Sequence, residues 1–316
     1  MSIPVRWPLA KQTIRFVNNE GEPKDRGNDQ DPWLAWISFS RPHQPYTPSE
    51  PFASMYPAES ITLPPVSDGE KSAVLEKREG ISEYKLRRMV SAYLGLVSQV
   101  DDAVGKIISH LEKQGVLENT IVIYASDHGD YAGEHGLFEK KGGISYRAIT
   151  RVPLIVRLPR GLPQADQGSV FEEMIESVDL FPTLCELAGI EPPNTVQGRS
   201  FAGLVAGEES YRHEHQSALT ENTYNKSLAT NAYRYVANLP GTQEDELYNL
   251  EEDPWELKNL INEPAYSEIA NRMLRELLDR VVKASKPIIS TGGGWHDHAY
   301  DLDGRIDLTR SGINPN

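Results

Sequence analysis

The sequence predicts an α/β fold, a sheet flanked by helices, followed by a small α+β subdomain. Three observations carry this. An amphipathic repeat after Ile81 gives way to a continuously apolar, β-branched run at residues 120–125. The helix-to-strand alternation recurs at residues 152–158 and 178–188. Beyond residue 207 short polar strands precede one last amphipathic helix. Alternation of this kind predicts a mainly parallel sheet. The 316 residues leave room for two domains. The expected boundaries are an α/β portion over 1–206, an antiparallel sheet with a helix over 207–285, and a tail over 286–316.

Trp7, Ala10, Ile14 and Val17 fall at helical spacing, and residues 18–31 form a polar, glycine-containing loop. Trp33-Leu-Ala-Trp-Ile-Ser-Phe39 has the length and apolarity of a strand. It empties into Arg41-Pro-His-Gln-Pro-Tyr-Thr-Pro48, whose three prolines exclude a helix or a sheet interior. Residues 49–80, proline-rich and then charged, read as a surface excursion. Leu86, Met89, Val90, Tyr93, Val97, Val100, Val104, Ile107, Ile108 and Leu111 mark a long helix that ends near Gly115 in a left-handed cap. Residues 120–125 then read as a fully buried strand and 152–158 as a second apolar strand. Residues 178–188 read as a short helix closed by Gly189. Residues 227–237 are polar strand material, and Ile269, Met273, Leu277, Val281 and Val282 line one face of the last helix. The tail has a triple glycine and few periodic apolar residues, as an extended wrap would.

Composition narrows the function classes. Lys and Arg total 32 against 46 Asp and Glu, a net charge of −14, which argues against a general nucleic-acid binder. No apolar run approaches the roughly 20 residues of a membrane helix, and the first ten residues lack the apolar core of a signal peptide. One cysteine, Cys185, leaves no partner for an intrachain disulfide and no multi-cysteine metal cluster; its apolar surroundings make it a packing residue.

Chemistry concentrates in Ser126-Asp-His-Gly-Asp-Tyr-Ala-Gly-Glu-His-Gly-Leu-Phe-Glu-Lys-Lys-Gly142, which starts where a predicted strand ends. Asp127 and His128 are adjacent, so both can face one site only from a loop, which is where Gly129 leaves them. A carboxylate beside an imidazole suits a divalent metal, although the tripeptide alone reads equally as a turn. His43, alone in its proline-rich loop, is a surface residue or part of a polyproline ligand. His135 reads as a structural loop histidine, and His296, Asp297 and His298 as a solvated turn.

In order along the chain stand Val100-Asp-Asp-Ala-Val-Gly105, Leu117-Glu-Asn-Thr-Ile-Val-Ile-Tyr-Ala-Ser-Asp-His-Gly129, Gly133-Glu-His-Gly136 and Arg151-Val-Pro-Leu-Ile-Val156. Val178-Asp-Leu-Phe-Pro-Thr-Leu184, Leu187-Ala-Gly-Ile190 and Glu246-Leu-Tyr-Asn-Leu-Glu-Glu-Asp-Pro-Trp-Glu-Leu-Lys-Asn-Leu260 follow. Together they resemble the type I sulfatases of the alkaline-phosphatase superfamily. The Asp-His pair is similar to the iduronate-sulfatase, choline-sulfatase and phosphonate-monoester-hydrolase branches. The resemblance implies a partial sulfatase/alkaline-phosphatase-like sheet flanked by helices, with residues 1–206 forming the C-terminal portion of the catalytic domain. It implies Asp127 and His128 as metal ligands, Lys140 as the lysine that holds the ester oxygen, and His43 as a contact to a sulfate oxygen. Lys141 reads as a solvated charge. The implied metal is calcium first, with manganese, magnesium or zinc as alternatives because one ligand is nitrogen. The implied substrate is a sulfate ester of a small molecule or saccharide.

The family's formylglycine nucleophile arises from a Cys/Ser-x-Pro-x-Arg motif; the sequence has no cysteine form of it, its one literal match being Ser2-Ile-Pro-Val-Arg6, and the nucleophile segment is expected to be missing together with the Asp pair that completes the metal site. The sequence therefore resembles the C-terminal portion of a sulfatase, with a reduced sheet, an exposed apolar face and a complementary N-terminal half chain as the expected partner. Three functional readings follow: a sulfuric-ester hydrolase that is inactive as this chain alone, a non-catalytic relic or binding protein, and a phosphate or phosphonate ester hydrolase of the same superfamily.

Overall fold

The computed structural model describes residues 32–67, 72–140, 143–208, 211 and 216–284. The expected helix at Trp7 to Val17, Lys141, and the His296, Asp297, His298 group lie outside these residues.

Helix α1 spans Ser72–Arg78, inside the stretch read as a surface excursion. Val74 is fully buried there, because it meets the cluster around Tyr131 and Tyr146. Helix α2 spans Glu83–Lys113. Ser82 caps it, its side chain accepting from Lys85 N, and Gly115 follows its end at φ +70° as the left-handed cap requires. Its inward face is Leu86, Val90, Leu96, Val100, Ala103, Ile107 and Leu111. Val97, by contrast, is exposed, so the apolar stripe at mid-helix runs through its neighbour Leu96.

Strand β1 (Val122–Ala125) pairs with β2 (Leu154–Arg157), Val122 opposite Arg157 and Ala125 opposite Leu154. The pairing is antiparallel, and so is every strand pair among the described residues. The expectation of a mainly parallel sheet is corrected here. A parallel return needs a crossover element of about a dozen residues. The β1–β2 connection contains only a single 3-10 turn and the four-residue helix α3 (Arg147–Thr150), so the chain doubles back. β1 is also not fully buried: Val122 packs toward Ala103 and Ile107 on α2 and Leu117 just beyond it, whereas Ala125 is exposed. Residues 33–39 form no assigned strand. Their burial still alternates, Trp33, Ile37 and Phe39 against α2 and Leu34 and Trp36 outward, because the period-two pattern survives without an assigned ladder.

Helix α4 (Leu180–Leu187) ends before Gly189, which sits at φ +68°. Helix α5 spans Ala202–Ala206. Strands β3 (Ala218–Glu221), β4 (Asn225–Ala229), β5 (Tyr233–Asn238) and β6 (Glu246–Asn249) make an antiparallel sheet in chain order. Helix α6 (Ser267–Ala284) lays Ala270, Met273 and Leu277 on Leu228, Tyr235 and Leu247 of that sheet.

A buried clamp joins this sheet to the first part of the chain. Arg234 of β5 donates to Glu256 at 2.6 Å, both side chains 1% exposed, and also to the carbonyl of Ser145. Glu256 accepts in turn from the backbone N–H of Arg147. Tyr146 meets Tyr248 of β6 edge to face at 5.9 Å. No helix among the described residues is long and apolar enough to cross a membrane.

Candidate active site

The site is built on the loop that leaves β1. Gly129 fixes its start. Its N–H donates to Ile149 O at 2.8 Å, and a Cβ there would lie 1.9 Å from Ala148 O, so no side chain fits between the loop and α3. Ser126 Oγ donates to His128 O, and Asp127 Oδ1 accepts from His128 N at 2.9 Å. These bonds leave the Asp127 carboxylate 85% exposed and the imidazole half-buried beside it.

The return of the loop is set by Asp130. Its Oδ1 accepts from Ala132 N at 2.8 Å and Glu139 N at 3.1 Å, while its Oδ2 accepts from Tyr46 Oη at 2.7 Å. One carboxylate thus clips residue 139 beside residue 130 and ties the proline-rich loop to both. Burial, then the hydrogen bond to Asp130, raises the Tyr46 phenol well above its usual range. Burial with the nearby Asp130 charge pushes Tyr93 up to about 12. Both stay neutral donors at ordinary pH. Beneath the loop Tyr131 donates to Ile144 O, and His135 stacks flat on Tyr146 at 3.6 Å, 1% exposed.

The clip delivers Lys140 to the start of the loop. Its Nζ donates to His128 Nε2 at 2.9 Å, twelve residues away in sequence. The other ring nitrogen, Nδ1, donates to Gly129 O at 2.8 Å, which places the imidazole proton there and turns the Nε2 lone pair outward. Nε2 lies 3.7 Å from Asp127 Oδ2. An exposed carboxylate oxygen and an imidazole lone pair at that separation fit two ligands of one divalent cation. Among the described residues no group of three His, Cys, Asp or Glu side chains forms a more complete donor set.

Asp127, His128 and Lys140 are therefore brought together. His43 is placed apart from them: it is exposed, its Nδ1 donates to Gln44 O at 2.9 Å, and it is not on the cleft wall the other three share. That cleft, about 2320 Å³, opens between the β1 and β2 ends, α3 and the four-stranded sheet. It also presents Arg147 and Arg151, which the sequence reading left without a role. Their signal was available: two arginines four apart directly before the Val-Pro-Leu run. Burial, then the charge of Arg151, lowers Arg147 from its usual range, and Glu256 and Glu134 offset only part of this.

Residues 9–190 match the family described as Sulfatase, and residues 133–283 match the one described as N-sulphoglucosamine sulphohydrolase, C-terminal. A protein named arylsulfatase from Clostridium perfringens is 32% identical over 278 residues, covering 84% of this chain and 55% of its own length. The multifunctional alkaline phosphatase superfamily protein PehA of Trinickia caryophylli is 27% identical, covering 87% of this chain and 60% of its own length. The crystal structure of the phosphonate monoester hydrolase of Agrobacterium radiobacter superimposes with a TM-score of 0.73 at 22% identity, over 87% of this chain and 60% of that one. The chain thus spans somewhat more than half the length of these relatives. With the Sulfatase match covering more than half of its residues, the chain belongs to the sulfatase family of the alkaline-phosphatase superfamily.

Proposed function

We propose that this chain supplies one wall of a metal-dependent site that hydrolyses sulfuric esters. The observation that carries the reading is the Lys140 ammonium held 2.9 Å from His128 Nε2, with the exposed Asp127 carboxylate alongside, at the edge of a large cleft.

Each residue has a role its chemistry allows. Asp127 and His128 hold a divalent cation, calcium first and manganese, magnesium or zinc as alternatives; the cation supplies fixed positive charge beside the sulfate oxygens. Lys140, with three donors on a flexible stem, turns from His128 to the ester oxygen and neutralises the charge that grows there as the alcohol leaves. His43 reaches a sulfate oxygen once its loop, tethered through Tyr46 to Asp130, packs over the substrate. The formylglycine that provides the family's nucleophile arises from a Cys/Ser-x-Pro-x-Arg segment, of which this sequence holds no cysteine form and one literal serine match, Ser2-Ile-Pro-Val-Arg6. The reading includes a complementary N-terminal half that supplies the cysteine form of the segment and the remaining metal ligands, and a sulfated small molecule or saccharide as substrate. A nitrogen ligand also supports a second reading, a phosphate or phosphonate ester hydrolase, to which the likeness to PehA adds.

The test combines this chain with a sulfatase N-terminal half carrying the Cys/Ser-x-Pro-x-Arg segment and follows 4-nitrophenyl sulfate against 4-nitrophenyl phosphate. Turnover of the sulfate is expected, and Lys140→Ala is expected to lower kcat by about 10²–10³-fold. Faster phosphate turnover selects the second reading. A folded complex without turnover of either ester sinks both and leaves a binding relic.

A further inference from the structure

We propose that Arg147 and Arg151 form a second oxyanion position in the cleft, beside Asp127, His128 and Lys140, and that the ligand carries a second sulfate, sulfonate or carboxylate group to fill it. The proposal rests on the ester-hydrolase reading only for where the reacting ester lies.

The two arginines are one helical turn apart at the ends of α3, Arg151 N donating to Arg147 O at 2.8 Å. That turn is seated directly on the Asp127–His128 loop through Gly129 N and Ile149 O. Asp127, His128, Lys140, Arg147, Ile149 and Arg151 line the same cleft. On the strip of its wall formed by residues 125–156, Lys140, Arg147 and Arg151 stand against one carboxylate, Asp127, while the cleft's other carboxylates, Glu172, Glu173, Glu176 and Glu221, come from later segments. Among the described residues neither guanidinium is held in an ion pair. Glu256, the carboxylate whose charge acts most on Arg147, is already committed to Arg234 at 2.6 Å and to the Arg147 backbone N–H. Arg147 is half-buried, and the positive charge of Arg151 acts on it without full compensation. Two such like charges held together are relieved by an oxyanion, which guanidinium forks bind in bidentate fashion. A binding surface that concentrates cations in an acidic molecule also favours capture of anionic ligands over neutral ones.

The experiment is calorimetric titration of the full chain with benzene-1,3-disulfonate and with benzenesulfonate at fixed ionic strength. The disulfonate is expected to bind about tenfold more tightly, the gain of one charge-assisted contact. Arg147→Gln and Arg151→Gln each remove that advantage and leave benzenesulfonate binding as it was, whereas Arg151→Lys keeps part of it. Arg151 is exposed, so Arg151→Gln keeps the test decisive even where Arg147→Gln disturbs packing. Equal affinities for the two probes, or an advantage that survives the double variant, overturn the proposal. Lys140→Gln separates the two readings: it weakens both probes equally if the ester position is right. An advantage lost with the arginines but indifferent to Lys140 keeps the second position and removes the ester reading.

Discussion

Glu134 sits in the site loop with its carboxyl raised above the usual range by burial, while the charges of His135 and Arg147 pull the other way and Glu256 adds to the rise. A carboxyl raised in the folded state binds its proton more tightly there than in the unfolded chain. Its contribution to stability is therefore complete below the ordinary glutamate pKa and is lost as pH rises through the folded value. Glu134→Gln is expected to match the native chain near pH 4 and to exceed it in stability at pH 7, read from urea midpoints at the two pH values. A constant difference between the two proteins contradicts this. Gly129 is the opposite kind of residue, one that tolerates nothing added. Gly129→Ala places a methyl against the Ala148 carbonyl and is expected to cost about 1–3 kcal/mol, seen as a lower urea midpoint at unchanged slope. At this scale the sequence was informative about identity and silent about environment. Asp127, His128 and Lys140 were visible as chemistry-bearing types in one stretch. That Gly129 is sterically required, and that Arg147 faces Arg151, depends on how α3 packs on the loop, which no local pattern encodes.

The element that shapes the site is the loop from Ser126 to Lys140, and Asp130 is its fastener. Three donors converge on this one carboxylate, two of them backbone N–H groups nine and two residues along the chain. Asp130→Ala removes all three bonds, with an expected cost of about 2–4 kcal/mol. The sharper readout is amide hydrogen exchange: Ala132 and Glu139 should lose protection in the variant, while the α2 amides keep theirs. Equal protection in both proteins would assign the loop's shape to the Tyr131 and Tyr146 packing instead. Helix α2, by comparison, was legible in its extent, because its apolar spacing and terminal Gly115 state the same element, although Val97 of the expected stripe is exposed and Leu96 is buried in its place. Helix α1 was missed, since its seven residues offer two turns of pattern and a single deeply buried anchor, Val74.

Across the whole molecule, the strands at 120–125 and 152–158 were readable and their pairing was not, and the strand read at 33–39 does not form. The runs at 120–125 and 152–158 are apolar and β-branched whichever way they pair; the antiparallel return is decided by a connection too poor in helix to cross over. The segment 33–39 shows the same limit from another side. Its alternation packs Trp33, Ile37 and Phe39 on α2, and the reverse face leaves Leu34 75% and Trp36 81% exposed. Two large apolar side chains two residues apart point to the same side of an extended segment, and a face of that kind buries itself against another chain when it can. Burying both contributes of the order of 3–5 kcal/mol, the scale of weak association at concentrations approaching millimolar. Sedimentation velocity on the isolated chain should accordingly show mass rising with concentration, and Leu34→Lys with Trp36→Lys should hold it monomeric while the melting temperature stays close to native. Association that ignores both lysines would move the sticky surface elsewhere, to the exposed Ile155 on β2 or Phe181 on α4, and the same pair of measurements on Ile155→Lys and Phe181→Lys would locate it.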